Sequence, residues 1–170
     1  MKVLRWSTAF VVLTALATAT PGRAAPQQLL GKHIVLRETQ TIVGQPLAGG
    51  QQATAKQSQE RIIYISSVGR IFARLNLTSG NVTAVREQSP NNSPQDDTTY
   101  RWQGDVLVGT STAVRSTISF DASFRSCTVS LVLKPHAVAW SIDHKPWRIL
   151  SVNVDNVTCT IQDGNPFAGQ

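Results

Sequence analysis

Alternation of apolar and polar residues predicts a chain built from β-strands. Residues 32–43 are rich in β-branched side chains and read as a first strand. Residues 61–66 and 71–77 read as a hairpin, with Gly69 in its turn free to take positive φ. Residues 82–88 read as a short returning strand. Beyond them, 100–110, 113–121, 124–134, 137–142, 147–154 and 157–162 carry the same pattern, with short polar breaks between. No segment after the first 24 residues shows a helical period. The spacing predicts a mostly β fold: an antiparallel β-sandwich of about eight strands, with a small closed β-barrel as the alternative.

Two stretches interrupt the pattern. Residues 44–60 hold glycine, proline and glutamine but almost no large apolar side chain, and read as a long polar loop, with a short helix over 51–59 as the alternative. Residues 89–99 are rich in Pro, Asn and Asp and read as a second polar loop. The end, 164–170, reads as a loose tail.

The first 24 residues have a different character. Lys2 and Arg5 precede an apolar run, 8–16, too short to span a bilayer as a mature helix, and small residues follow. This predicts a cleaved signal peptide over 1–24 and one β domain over 25–170, with a periplasmic or extracellular location. No later apolar run reaches membrane-spanning length. The 170-residue chain carries 16 basic and 10 acidic residues; without Lys2, Arg5 and Arg23 the mature excess falls from +6 to +3. That excess is spread along the chain, so nucleic acid is not an expected partner.

Export changes the meaning of the two cysteines. Cys127 shares the apolar parity of Val129, Leu131 and Leu133, and Cys159 that of Val157 and Ile161. Both point to the core, and an oxidising compartment would pair them as a disulfide. A catalytic thiol is disfavoured, because no basic or helix-terminal setting is visible.

The windows 64–74 (Tyr-Ile-Ser-Ser-Val-Gly-Arg-Ile-Phe-Ala-Arg) and 159–167 (Cys-Thr-Ile-Gln-Asp-Gly-Asn-Pro-Phe) resemble patterns of small exported bacterial proteins of an uncharacterised family. The resemblance implies export and carries no activity.

Candidate chemistry is sparse. His136 and His144 flank one strand, too far apart for one metal, and with His33 they read as solvent histidines. No nucleophile elbow is present, and Glu38, Glu60 and Glu87 form no obvious acid pair. Asp96 and Asp97 beside Asn91 and Asn92 lack calcium-loop spacing and read as solvated loop. Asn76, Asn81 and Asn156 each open an Asn-x-Thr triplet and read as turn-flanking residues. Trp140 reads as core, whereas Trp102 and Trp147 are candidates for a partner surface. No metal or cofactor is expected. The functional expectation is an exported non-enzymatic binding or envelope-associated domain, with a protein or small ligand as partner. The alternatives are a lipocalin-like or streptavidin-like carrier of a small apolar ligand and a secreted hydrolase with a site assembled from distant residues.

Overall fold

In the computed structural model, residues 24–79, 82–88, 98–140 and 145–168 are described. Among the described residues ten strands make two antiparallel sheets. They are β1 (Lys32–Pro46), β2 (Ala53–Ile65), β3 (Ile71–Ser79), β4 (Val82–Gln88), β5 (Thr99–Gln103), β6 (Val106–Thr110), β7 (Val114–Phe120), β8 (Cys127–Leu133), β9 (Val138–Trp140) and β10 (Pro146–Asp163). The larger sheet runs β4-β3-β2-β1-β10-β9 and the smaller β5-β6-β7-β8.

The core lies where the two sheets face each other. Ile34 and Leu36 of β1 and Ile63 and Ile65 of β2 are buried against Trp102, Leu107 and Ile118 of the smaller sheet. Parity explains the choice: these residues sit at alternate positions, so one face of each strand is apolar and the other is free to be polar. Leu29, on a short 3-10 turn (Gln27–Leu29), closes the same cluster with no exposed surface.

The sheets also meet along β8 and β10. Ser126 and Thr160 form an isolated bridge there. Beside the bridge, Cys127 and Cys159 stand at disulfide distance, their Cα atoms 5.4 Å apart. Both are half-buried against the core, as their strand parity predicts.

Several expectations are corrected by the strand ladder. Most of 44–60 is strand: β1 continues to Pro46, β2 begins at Ala53, and Gly44 is paired with Ala53. Only 47–52 turns, with Gly49 and Gly50 at φ 91° and 133°. Residues 53–56 are exposed, so backbone pairing to β1 holds them there rather than burial. Of the second expected loop, 89–97 lies outside the described residues, and Thr99 already belongs to β5. The strand expected over 100–110 is a hairpin, because Gly104 turns at φ 66° and Trp102 pairs with Leu107. The break expected at Asp155-Asn156 is a bulge within one strand: Thr39 faces Asn156, Gln40 faces Val154, and Asp155 is the extra residue.

The C-terminal residues to Ala168 fold back on the outer face. The Phe167 ring meets Tyr64 edge-on, 6.5 Å between centroids, and the Arg74 guanidinium lies 5.0 Å over Phe167. His33 is buried beneath this tail, not solvated as expected. Its Nδ1 donates to the Gly164 carbonyl at 3.0 Å, and its Nε2 faces the Gln162 side chain at 3.2 Å.

Candidate functional site

The tail covers one end of the larger sheet's outer face. Beyond it, the register assembles a polar groove of about 550 Å³. Strand pairing places Thr158, Arg37, Glu60 and Asn76 opposite one another across β10, β1, β2 and β3. One step along, Asn156, Thr39, Ser58 and Thr78 form a second row on the same face. Side chains directly opposite are about 5 Å apart, and the two rows are about 7 Å apart. All eight positions are polar and share the outward parity, opposite to that of the core residues Ile34, Leu36, Ile63 and Ile65.

An ion pair organises the first row. The Arg37 Nε donates to Glu60 Oε2 at 2.7 Å, and Asn76 Nδ2 donates to Glu60 Oε1 at 3.2 Å. Both carboxylate oxygens are thereby engaged. At an exposed site such a pair contributes about 0–1 kcal/mol, so its effect is on arrangement more than on stability. In the second row the Thr39 and Ser58 hydroxyls approach to 3.4 Å, and either can donate. The bulge next to Asn156 fixes the end of the groove. Asp155 accepts hydrogen bonds there from Thr41 Oγ1 at 3.2 Å and Asn153 Nδ2 at 3.1 Å.

A second polar group lies inside, at the open end of the core. Arg61 Nη1 donates to Tyr100 Oη at 3.1 Å, from one sheet to the other. Glu38 is on the inward parity, opposite Gln59 and Val157. Burial pushes its carboxyl above the usual range, and the Arg61 charge partly opposes that rise. Tyr100 and Ser116 close around Gly109: a Cβ there would stand 2.5 Å from Ser116 Oγ and 2.9 Å from the Tyr100 ring.

The residues singled out in the sequence do not gather here. Trp102 is corrected: it is 6% exposed and packs in the core with Phe120, 5.9 Å between ring centroids, so it offers no partner surface. Its inward parity with Tyr100 on β5 is the reason. Trp147 is half-buried and lies over Gly44, far along β10 from the groove. His136 is exposed in the turn after β8 at φ 56°, while His144 lies outside the described residues, as do Asn81, Asn91, Asn92, Asp96 and Asp97. Among the described residues no three His, Cys, Asp or Glu side chains gather as a metal site. Asn76 and Asn156 lie within β3 and β10 and line the groove.

Comparison with known proteins finds no matching family, no matching curated protein and no matching solved structure.

Proposed function

We propose that this chain is an exported, non-enzymatic β domain that binds an envelope component through the outer groove. The observation that carries the reading is the groove itself. Two rows of donors and acceptors cross four strands of a sheet whose other face is anchored in the core. A rigid sheet holds such side chains at fixed spacing, which suits recognition. Proton transfer is not what the arrangement favours, since Arg37 and Asn76 already occupy both oxygens of Glu60. Export rests on Lys2, Arg5 and the apolar run after them, and on a cysteine pair that an oxidising compartment would convert to a disulfide.

The test uses mature protein recovered from the periplasm or medium. Its N-terminus should lie between Thr18 and Pro26, and it should co-sediment with washed envelope fragments. Ser58→Trp, which fills the groove from an outward position on β2, should abolish co-sedimentation and leave the circular dichroism spectrum intact. Undiminished co-sedimentation of a folded Ser58→Trp protein would remove the groove from the account.

A further inference from the structure

We infer that the groove takes a neutral, polyhydroxylated chain, an oligosaccharide without charged groups; the inference rests on the groove being the binding surface. Charge is the first argument. Arg37 is the groove's cation, while Glu60, bonded to it at 2.7 Å, and Glu38 bring two carboxyls to the lining, so no excess positive charge awaits a phosphate or carboxylate. Breaking the pair to bind an anion would leave Glu60 facing that anion.

The second argument is the kind of hydrogen-bonding group. Thr39, Ser58, Thr78 and Thr158 present hydroxyls, each able to donate and to accept. Asn76 and Asn156 present amides with both functions. A ligand made of hydroxyls has the same ambivalence, so every contact can be satisfied by rotating one O–H. The apolar part of the lining comes from the methyl groups and methylene stems of these polar side chains, with no aliphatic or aromatic side chain among them.

Spacing is the third. Polar groups recur about every 5 Å across the strands, over four strands. A compact molecule would engage one corner of this lattice. A linear sugar chain laid across β10, β1, β2 and β3 repeats its own hydroxyls on a similar scale and engages all four. The individual contacts are solvent-exposed and weak, so affinity comes from the number made.

The experiment is an NMR titration of the isotopically labelled mature protein with cellohexaose, maltohexaose and a hexamer of galacturonic acid. The expected result is saturable shifts from one or both neutral hexamers at Arg37, Thr39, Ser58 and Asn76. Thr39→Val, which keeps shape and strand preference, should weaken that binding at least about tenfold, as should Ser58→Ala. Groove shifts from the acidic hexamer alone would overturn the neutral-chain inference while leaving the groove as the binding surface. No groove shifts from any hexamer, with envelope co-sedimentation retained, would likewise overturn it. Neutral-hexamer shifts confined to β7 and β8 would overturn both this inference and the groove reading.

Discussion

Arg61 and Tyr100 join the two sheets through one hydrogen bond, Nη1 to Oη at 3.1 Å. It depends on a glycine opposite Tyr100 on the next strand, β6. Tyr100 can lie across its neighbour strand because Gly109 has no side chain; a Cβ there would be 2.9 Å from the tyrosine ring and 2.5 Å from Ser116 Oγ. Gly109→Ala should therefore displace the ring and lose the link, costing about 1–3 kcal/mol, the range for overpacking a filled site. Tyr100→Phe keeps the ring and removes the hydroxyl, losing the link without the overlap, so it should cost less than Gly109→Ala. Urea melts of the two variants check the order. Equal stability of Gly109→Ala and the parent would contradict this packing.

Glu38 sets a pH dependence with a definite sign. Burial raises its folded-state pKa above the ordinary carboxylate value, so the folded state binds this proton more tightly than the unfolded chain does. The stabilising contribution of the protonated form is therefore full below the ordinary carboxylate range and is lost as pH rises through the folded-state value. Glu38→Gln imitates the protonated form. It should gain stability relative to the parent at neutral pH and lose that advantage in acid. Melts across this window measure it, and a constant difference at all pH values would contradict it.

Asp121 has the opposite sign. Its Oδ2 accepts from Ser123 Oγ at 2.6 Å, and its Oδ1 from the N–H groups of Arg125 at 2.7 Å and Ser126 at 3.1 Å. The Ser123 bond leads the causes that hold the carboxyl below its usual range. Stability from Asp121 is present above that range and disappears as pH falls through the lowered value. Asp121→Ala should loosen the turn between β7 and β8 and flatten the acid limb of the stability profile. Faster amide exchange at Arg125 and Ser126 is the second readout; unchanged exchange would contradict the turn's dependence on Asp121.

The Cys127 and Cys159 pair stands beside the Ser126–Thr160 bridge, where the sheets join. If oxidised, a loop of this length contributes about 3–4 kcal/mol by restricting the unfolded chain. Reductant should shift the parent's urea midpoint downwards and leave a Cys127→Ala, Cys159→Ala double variant unmoved. Non-reducing peptide mapping of protein from its own compartment should recover the linked peptides. Two free thiols there, with melts indifferent to reductant, would contradict it.

The core was legible in sequence wherever burial imposes alternation. Cys127, Val129, Leu131 and Leu133 share a half-buried parity, and the hairpin turning at Gly69 was readable from its own residues. The half of β2 over 53–60 was not. Its side chains are exposed or half-buried and none is fully buried, so only backbone pairing to β1 makes it a strand, and pairing leaves no hydrophobic mark. The turn at Gly104 was hidden by apolar residues on both sides of it. Trp102 gave an ambiguous signal until the hairpin fixed its parity with Leu107. The groove could not be read in advance for a related reason. Arg37, Glu60, Asn76 and Thr158 come from four distant segments, and only the register places them in one row.

That row is the centre of the functional account, and reversing its charges tests it most directly. Equilibrium binding of the protein to washed envelope fragments should be measured for the parent, Arg37→Glu, Glu60→Arg and the double swap. Each single variant places two like charges opposite each other and should bind at least about tenfold more weakly. The double swap restores an opposite-charge pair in the same row and should recover binding to within about threefold of the parent, a coupling that independent sites would not show. Four indistinguishable binding curves from four folded proteins would contradict the account.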